Sequence, residues 1–554
     1  MVCMMDDTHT RIFLTGLPGS GKSTLAGLLA ARLGWDTVDL DQEIERETRQ
    51  SVPALFAQGE AVFRAAESTA LAKVAHRQHI VVATGGGAVL APANRAIIHA
   101  SGIMLTLGVA PAIAAERLAA VVATAERPLL RDDPAARLRA LEETRAPLYA
   151  EADLSIATDG LSPEQVALRA LAALAASGLL AAADVSPNVI AVPLTAAPHT
   201  ITCGAGTLAQ LPTMIAALHL ATRITIITDS SIADLYLPQV VTALEVAGVV
   251  VTPIIVPAGE ASKSLAQLST IYDALIDARH ERGEAIIALG GAVVGDLAGF
   301  VAATYQRGVP LIQIPTTLLA MVDSAIGGKT GINHPRAKNS IGAFYQPRAV
   351  IADPSVLLTL PERIYREGWG EIVKYGVALD ADLFDQIERE RDALLHPYAA
   401  TVPAIIARCA TIKASIVADD EHEAGNRIIL NYGHTIGHAL ETLTGYGTLL
   451  HGEAVFLGMA VEARIAQKLG IIDPTAVTRQ DALSHHFYTP NALTIAALRE
   501  LTPSAILTAT RHDKKSQAGR VRWVLPTSIG STAVRADVPD DLILDVIHAW
   551  HDSL

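Results

Sequence analysis

Hydrophobic and polar positions follow strand-like and helix-like patterns in turn up to about residue 160. Residues 11–15 (RIFLT) are a short apolar run that leads into a glycine-rich turn and then into a helical pattern. Alternating strands and helices predict an α/β fold with a parallel sheet. The segment from Ser162 to Ala175 begins with Ser-Pro-Glu, which places a capping serine and a first-turn proline at a helix start. It predicts the last helix of this first domain, residues 1–175.

The pattern then changes twice along the chain. Residues 176–198 mix Ala, Gly, Pro, Ser and Asn without clear periodicity, which predicts a linker. A second α/β pattern covers residues 199–358, and residues 359–554 are helical almost throughout. Predicted strands lie at 223–228, 250–256 and 285–289, with a late candidate at 520–525. Three structural units are therefore expected: α/β, α/β and mostly α.

Composition narrows the class of protein. With 554 residues, 50% hydrophobic but only 4% aromatic, the chain suits several domains with closely packed helices. The net charge of −14 argues against a nucleic-acid or anionic-membrane partner. The most apolar stretch, Ala170 to Val185, is short and interrupted, so no membrane span is expected. Three scattered cysteines and the absence of a signal-like start predict reduced thiols and a cytoplasmic protein.

A phosphate loop follows the first predicted strand. Gly16 to Ser23 (GLPGSGKS) fits G-x-x-x-x-G-K-[ST] and lies between a strand and a helix. Backbone N–H groups at such a turn converge on phosphate oxygens, and the helix dipole favours the anion. We expect Lys22 to reach the β- and γ-phosphates of ATP and Ser23 to bind Mg²⁺. The expected nucleotide contacts are Gly16, Gly19, Ser20, Gly21, Lys22, Ser23 and Thr24.

Five further fragments stand in a fixed order after this loop: VDLD at 38–41, GEAVFRAAE at 59–67, GGG at 85–87, RPLL at 127–130 and RAPLY at 145–149. With them, residues 8–175 resemble shikimate kinase. The resemblance implies the following roles: Asp39 for Mg²⁺, Asp41 for the shikimate hydroxyls, Arg64 and Arg145 for its carboxylate, Gly85, Gly86 and Gly87 beside it, and Arg127 for the transferring phosphoryl group. Planar guanidinium groups suit a carboxylate. A gluconate-type kinase shares the phosphate loop but would not explain the paired arginines.

The second α/β segment contains a generic dinucleotide pattern, IIALGGAVVGD, an apolar strand followed by a glycine turn and a helix. Its neighbours decide its family. GGAVVGDLAGFVAATYQRG, IPTTLLAMVDSAIGGKTGIN and KNSIGAFYQP resemble 3-dehydroquinate synthase, and the resemblance extends from about residue 200 to 530. It implies NAD contacts at Asp229, Glu260, Lys263, Gly291, Asp296, Thr316, Thr317, Asp323 and Lys338. Ala292 stands where the family usually has a third glycine; alanine is the mildest replacement, so NAD is still expected.

A histidine pattern in the helical third predicts a metal site. His434 and His438 are four residues apart, which places both on one face if the segment is helical. Spacing alone therefore favours this pair as ligands, with two structural histidines as the alternative. The family resemblance instead implies Glu371, His434 and His451 as ligands of zinc or cobalt, and His438 as a substrate contact. Three N/O ligands with open positions are typical of catalytic zinc.

The resemblance also implies cationic and polar contacts to a phosphorylated acid. For the phosphate they are Lys329, Asn339 and Arg307, the last reaching in from a neighbouring subunit of a homodimer formed through this half. For the carboxylate and hydroxyls they are Lys374, Lys413, Arg427, Asn431 and one of Lys514 or Lys515. The residues expected to take part in catalysis are Lys22, Asp41, Arg127, Lys374, Lys413, Arg427, Asn431 and His438.

Together these resemblances imply a P-loop kinase domain, a parallel sheet with helices on both faces, followed by a Rossmann-like NAD domain and a mostly α-helical metal-binding domain. The implied reactions are ATP-dependent phosphorylation of shikimate and cyclisation of 3-deoxy-D-arabino-heptulosonate 7-phosphate to 3-dehydroquinate with loss of phosphate. One alternative is that the second half is a related sugar-phosphate cyclase with another substrate. The other is a non-catalytic regulatory role for one half.

Overall fold

A computed structural model describes residues 10–122, 134–180, 187–445, 447–511 and 521–554. The chain divides into two compact units, Met1–Val185 and Ser186–Leu554. Within the described residues, every helix is too short or too polar to cross a membrane.

The first unit is built on a five-stranded parallel sheet with strand order β2-β3-β1-β4-β5. Its strands are β1 (Arg11–Gly16), β2 (Asp36–Asp39), β3 (Ile80–Ala83), β4 (Ile103–Gly108) and β5 (Leu154–Ala157). The central strand β1 is buried along its whole length, as its uninterrupted apolar run predicts for a parallel sheet. The helices are α1 (Lys22–Leu33), α2 (Leu40–Thr48), α3 (Val52–Gln58), α4 (Glu60–Val74), α5 (Pro92–Ser101), α6 (Pro111–Val122), α7 (Pro134–Tyr149) and α8 (Pro163–Ser177).

The second unit begins with a seven-stranded sheet of order β6-β7-β14-β11-β10-β8-β9. These strands are β6 (Asn188–Val192), β7 (His199–Cys203), β8 (Arg223–Asp229), β9 (Val250–Val256), β10 (Ala285–Gly290), β11 (Leu311–Pro315) and β14 (Ala349–Ala352), and only β6 runs antiparallel to its neighbour. A separate antiparallel hairpin pairs β12 (Lys329–His334) with β13 (Ala337–Phe344). The helices of this part are α9 (Leu211–Ala217), α10 (Ser230–Val246), α11 (Leu265–Asp277) and α12 (Ala292–Thr304).

One strand lies inside the segment predicted as a linker. Residues 188–192 form β6, which pairs antiparallel with β7 at the edge of the sheet. Three of its five side chains are exposed, in keeping with an edge strand, and the short run NVIAV stands in a segment otherwise rich in Ala, Pro and Ser. Pairing with a neighbour along the chain, rather than periodicity, forms this strand.

The remainder of the second unit is helical, with one small hairpin. The helices are α13 (Glu362–Ala378), α14 (Ala381–Glu390), α15 (Val402–Asp419), α16 (His434–Leu443), α17 (His451–Lys468), α18 (Pro474–Phe487), α19 (Ala492–Arg499), α20 (Pro503–Arg511) and α21 (Asp540–Asp552). The predicted late strand corresponds to β15 (Trp523–Ser528), which pairs with β16 (Ser531–Arg535). Trp369 of α13 stacks on Phe487 of α18 with 4.6 Å between ring centroids. This packing anchors the helix that carries Glu371.

Candidate active sites

The phosphate loop of the first unit connects β1 to α1. Gly16, Gly19 and Gly21 all have positive φ, a backbone conformation that side chains disfavour and that turns N–H groups inward. Lys22 Nζ donates to the carbonyls of Gly16 and Leu17, each at 2.9 Å. Its ammonium group therefore lies over the loop, where a bound polyphosphate would be neutralised.

Two predicted magnesium-binding groups meet beside this loop. The Ser23 hydroxyl donates to Asp39 Oδ2 at 2.8 Å. Asp39 ends β2 and caps α2, accepting from the backbone N–H of Asp41 at 3.1 Å through its other oxygen. Because β1 and β2 are parallel, their carboxyl ends lie at the same edge of the sheet. A hydroxyl and a carboxylate side by side are suitable ligands for Mg²⁺.

The predicted shikimate contacts converge on the glycine turn after β3. Arg145 Nη1 donates to the Gly86 carbonyl at 2.6 Å. A Cβ on Gly87 would lie 2.5 Å from Arg64 Nη2, and one on Gly85 would lie 3.4 Å from Asp41 Oδ1. A side chain at Gly87 would displace the Arg64 guanidinium. Two guanidinium groups and a carboxylate therefore surround one small volume, which suits a hydroxylated acid.

Glu67 is a buried carboxylate in this site to which the sequence assigned no role. Its Oε2 accepts from Arg64 Nη1 at 2.8 Å. Burial raises the pKa of Glu67, the arginine partly opposes this rise, and nearby Asp41 adds to it. The ion pair holds the Arg64 guanidinium in place. The signal was present in the sequence as the i, i+3 spacing of Arg64 and Glu67 on a helix.

A metal-binding group forms between three helices of the second unit. Glu371 of α13, His434 at the first residue of α16 and His451 at the first residue of α17 bring their ligand atoms within 4.8 Å of one another. Glu371 Oε1 lies 3.4 Å from His434 Nε2 and 3.5 Å from His451 Nε2. In a tetrahedral zinc site with bonds of about 2.0–2.1 Å, ligand atoms are roughly 3.3 Å apart. The spacing therefore fits a zinc ion.

Two further observations fit a cation at this place. Glu371 is fully buried, and its Oε1 receives no well-directed hydrogen bond. Burial by itself would lower the pKa of His451, but Glu371 and Glu441 raise it to about 10. The surrounding carboxylates thus favour a positive charge between the imidazoles.

In both His434 and His451, the ring nitrogen that does not face Glu371, Nδ1, has a polar partner. His434 Nδ1 lies 3.1 Å from the Tyr432 carbonyl, and His451 Nδ1 lies 3.5 Å from Glu441 Oε2. Such contacts orient metal-binding histidines and fix their tautomer. Glu441 also accepts from Lys338 Nζ at 2.9 Å. Glu441 therefore connects the predicted NAD contact Lys338 to the candidate metal ligand His451.

His438 lies next to this group, with its ring centroid 5.3 Å from that of His434. A second group that could hold a metal consists of His438, Glu441 and His451. Among the described residues, neither group contains both His434 and His438. The four-residue spacing placed the two rings close together, but the group that contains His434 takes its other ligand atoms from α13 and α17.

Predicted substrate cations surround the metal group. Lys374 Nζ pairs with Glu371 Oε2. Lys413 Nζ contacts Asp323 Oδ1 at 2.6 Å, and Tyr375 also donates to this oxygen, at 3.0 Å. Burial lowers the pKa of Lys413 to about 8, although Asp323 opposes the shift. This lysine is still mostly charged at neutral pH and is suited to an anion.

Arg427 is also a deeply buried member of the predicted substrate cations. Its side chain is 1% exposed, and it donates to the Glu421 carbonyl at 2.6 Å and the Gly327 carbonyl at 3.1 Å. Arg427 Nε is buried and shows no hydrogen-bond partner. An unused guanidinium donor in a buried position is costly unless a ligand satisfies it. A substrate carboxylate would do so.

The three predicted phosphate contacts, Lys329, Asn339 and Arg307, have separate surroundings. Lys329 Nζ pairs with Glu423 Oε2 at 2.6 Å, and Asn431 Nδ2 lies 3.5 Å from Glu423 Oε1. Asn339 contacts Lys263 through its side-chain oxygen. Arg307 lies in the exposed turn after α12, with φ of +64°. Arg127, Lys514 and Lys515 lie outside the described residues.

Several predicted NAD contacts lie at the carboxyl ends of parallel strands of the seven-stranded sheet. Strand β8 is followed in the chain by β9, which lies on one side of it in the sheet. Strand β10 is followed by β11, which lies on the opposite side, so the strand order reverses between β8 and β10. Nucleotides bind outside the carboxyl ends of strands at such a point. Asp229 ends β8 and Gly290 ends β10, and Gly291 then precedes the first residue of α12. A Cβ on Gly291 would lie 2.9 Å from Thr317 Cγ2, and Thr316 N–H donates to the Gly290 carbonyl at 3.0 Å.

A buried lysine, Lys263, connects two further predicted NAD contacts, Asp296 and Glu260. Lys263 Nζ lies 2.7 Å from Asp296 Oδ2 and 3.7 Å from Glu260 Oε1. Glu260 also accepts from Asn333 Nδ2 at 2.7 Å, which joins this group to the β12–β13 hairpin. Burial raises the pKa of Asp296, and Lys263 opposes the rise. The arrangement forms a polar wall at the amino end of α12.

Comparison with known proteins agrees with both resemblances. Residues 18–175 match the family model of shikimate kinase, residues 253–367 that of the 3-dehydroquinate synthase N-terminal region, and residues 368–516 that of its C-terminal region. The 3-dehydroquinate synthase of Crocosphaera subtropica is 45% identical over 362 residues, which are 65% of this chain and 98% of that protein. The chain belongs to the 3-dehydroquinate synthase family. Because residues 18–175 match the other family, it is a fusion with a shikimate kinase domain.

Two solved structures share the fold of the 3-dehydroquinate synthase half. ValA, a 2-epi-5-epi-valiolone synthase from Streptomyces hygroscopicus with NAD⁺ and Zn²⁺ bound, is 26% identical with a TM-score of 0.59, covering 64% of this chain and 97% of that one. A 2-deoxy-scyllo-inosose synthase complexed with carbaglucose-6-phosphate, NAD⁺ and Co²⁺ is 25% identical with a TM-score of 0.58, covering 66% and 99%. The expected fold class is confirmed for this half.

Proposed function

We propose that the chain catalyses two reactions: transfer of the γ-phosphoryl group of ATP to shikimate, and conversion of 3-deoxy-D-arabino-heptulosonate 7-phosphate to 3-dehydroquinate and phosphate. The observation that carries the second assignment is the meeting of Glu371, His434 and His451, with a buried Glu371 oxygen lacking a directed hydrogen bond. The first rests on the phosphate loop and the two arginines around Gly86 and Gly87.

In the kinase site, catalysis depends on positioning and charge neutralisation. The phosphate loop would hold the ATP phosphates, with Lys22 neutralising them and Ser23 and Asp39 binding Mg²⁺. Arg64 and Arg145 would fix the shikimate carboxylate. Asp41 would then orient the attacking hydroxyl, since its carboxylate lies beside Gly85 at the same edge of the sheet.

In the cyclase site, zinc or cobalt would be held by Glu371, His434 and His451, and NAD by the crevice between β8 and β10. When bound, the metal supplies Lewis acidity and NAD a reversible hydride acceptor, so no net oxidation results. The protein's own groups bind and orient the substrate. Lys413 and Arg427 would pair with its carboxylate, while Lys329 and Asn339 would receive the phosphate that leaves.

The placement of two cysteines and one arginine supports proposals about location and assembly. Cys203 and Cys409 are buried free thiols, in keeping with a reducing, cytoplasmic setting. Arg307 is exposed in the turn after α12, and in a homodimer it would reach the phosphate site of the neighbouring subunit. We propose both, and sedimentation analysis of the purified chain tests the dimer.

A related sugar-phosphate cyclase is the second candidate, because both solved neighbours are enzymes of that kind. The 45% identity to a 3-dehydroquinate synthase, against 25–26% to these cyclases, favours the heptulosonate. Turnover of glucose 6-phosphate in place of the heptulosonate phosphate would support the second candidate instead.

Metal analysis combined with both assays tests the proposal. We expect about one zinc per chain, since three protein ligands and open positions define one catalytic site. Removing zinc with a chelator and then restoring Mg²⁺ should abolish dehydroquinate formation and leave shikimate phosphorylation unchanged. Full dehydroquinate formation by zinc-free protein would contradict the metal assignment.

A further inference from the structure

Helix α16 starts at the candidate ligand His434 without a side chain of its own to cap it. The residue before it, Gly433, has φ of +79°. A Cβ at this position would lie 2.6 Å from Met459 Cγ and 2.9 Å from the Val455 carbonyl oxygen. The serine, threonine, aspartate or asparagine that usually caps a helix is therefore excluded here.

A carboxylate from another helix supplies this cap. Glu462 of α17 is fully buried. Its Oε2 accepts from the Gly433 N–H at 2.7 Å, and its Oε1 accepts from the Ile436 N–H at 3.1 Å. These are the two N–H groups that a capping box satisfies with two side chains of the same helix. Here one carboxylate satisfies both from the neighbouring helix, and the helix dipole favours its negative charge.

The same face of α17 holds the backbone around His434 by close packing. Gly458 lies one turn before Glu462, and a methyl group there would overlap the Gly433 carbonyl oxygen. Tyr432 donates from its hydroxyl to Gln480 Oε1 at 2.7 Å, while its carbonyl faces His434 Nδ1 at 3.1 Å. The backbone on both sides of His434 is thus fixed, and Nε2 of the ring is directed at Glu371.

We infer that Glu462 is a positioning residue for the metal site, acting through His434. Helix α17 carries His451 at its first residue and, through Glu462, sets the start of the helix that carries His434. One rigid helix therefore determines the separation of both imidazoles. This inference rests on the metal site proposed above, since it concerns the geometry of that site's ligands.

The variant Glu462→Gln tests the inference on the full chain. The amide replaces one acceptor oxygen with an NH₂ group that faces a backbone N–H, so α16 loses a capping bond. Asp353→Asn is the matched control, because Asp353 is equally buried and accepts from the N–H groups of Leu208 and Ser355 at 2.8 and 2.9 Å. Both variants should unfold at lower temperature. Zinc affinity, measured by competition with a chromophoric chelator, should fall about 10-fold or more only in Glu462→Gln.

Equal zinc affinity of Glu462→Gln and the parent protein would overturn the inference and reduce Glu462 to a structural role. Should Glu462→Gln fail to fold, Glu462→Asp decides. It keeps the charge but draws the cap back by one methylene, so the visible spectrum of the Co²⁺-loaded protein should change. An unchanged spectrum and metal affinity would overturn the inference. If the parent protein itself binds no zinc, the proposed metal site fails instead.

Discussion

The Gly86 carbonyl accepts from two side chains at once, Arg145 Nη1 at 2.6 Å and the Tyr149 hydroxyl at 2.8 Å. Arg145 can donate to this carbonyl and still direct further N–H groups at a ligand carboxylate, because guanidinium has five donors in a fixed plane. Lysine has one compact ammonium group and cannot keep both contacts in the same geometry. The residue type is therefore part of the site.

We predict that Arg145→Lys raises the KM for shikimate about 10-fold or more, since a hydrogen bond to a charged group contributes about 1.5–3 kcal/mol. The KM for ATP should stay the same. Steady-state kinetics with each substrate varied in turn measures both. An equal rise in both constants would mean that Arg145 supports the fold of the unit and not the acid site.

Lys413 predicts a pH dependence for the second activity. Burial lowers its pKa from the ordinary value of 10.5 to about 8, so its charge is present below pH 8 and lost above it. We expect the KM for the heptulosonate phosphate to rise as the pH passes about 8. Because the folded pKa lies below the unfolded one, the buried charge also destabilises the fold at low pH, and this cost disappears between about pH 8 and 10.5.

The variant Lys413→Arg separates this lysine from other titrating groups. A guanidinium stays charged throughout this range, so the rise in KM near pH 8 should disappear even if the variant binds more weakly overall. The measurement is KM against pH for both proteins. A rise that persists unchanged in the variant would assign the titration to another group.

The sequence identified residues whose role follows from local spacing and missed those whose partners are remote. Lys22 and Ser23 followed from a contiguous motif. Glu441 did not, because its partner Lys338 lies 103 residues away and a single glutamate carries no local signal. Glu423 and Glu462 were missed for the same reason, since carboxylates are common and their meaning depends on the contacts that folding creates.

At the scale of elements, long apolar runs predicted buried strands correctly, whereas the edge strand β6 and the separate hairpin were not predicted. The predicted strands at 223–228, 250–256 and 285–289 correspond to β8, β9 and β10. The β12–β13 hairpin was not predicted, because its strands KTGINH and AKNSIGAF contain glycine, asparagine and lysine, which are depleted in strands. Strand β6 was not predicted because it is a five-residue run inside a segment without periodicity. Such strands depend on pairing with particular neighbours more than on their own pattern.

The close crossing of α16 and α17 predicts that one added methyl group at Gly458 lowers the stability of the second unit. In Gly458→Ala the new methyl would overlap the Gly433 carbonyl oxygen, so the helices must separate. We expect the free energy of unfolding of the second unit to fall by about 1–3 kcal/mol, the usual cost of overpacking. Denaturation in urea, followed by tryptophan fluorescence, measures this loss.

Gly283→Ala is the matched control for this variant. A Cβ on Gly283 meets no atom within 4 Å, and this glycine does not have a positive φ. Its stability should therefore stay close to that of the parent protein. If Gly458→Ala is as stable as Gly283→Ala and the parent protein, the helix crossing tolerates the methyl group and the close approach is not a constraint.

At the scale of the whole molecule, each unit has its own sheet and its own buried core. The core of the first unit includes Phe13, Leu40 and Met104, whereas one core of the second includes Trp523, Ile547 and Leu440. A domain with its own core is able to fold as an independent unit. The division between Val185 and Ser186 falls inside the segment where the hydrophobic pattern first changes. The predicted bounds of the three structural units stay predictions.

The two activities should accordingly be separable by single substitutions. We predict that Lys22→Ala reduces shikimate phosphorylation to background, because the polyphosphate loses its neutralising ammonium group, and leaves dehydroquinate formation within about twofold. Glu371→Gln should do the reverse, since it removes a charged metal ligand without touching the phosphate loop. The measurement is both activities of each purified variant, together with its zinc content. Loss of both activities in either variant would show that the two units depend on each other for their folded state.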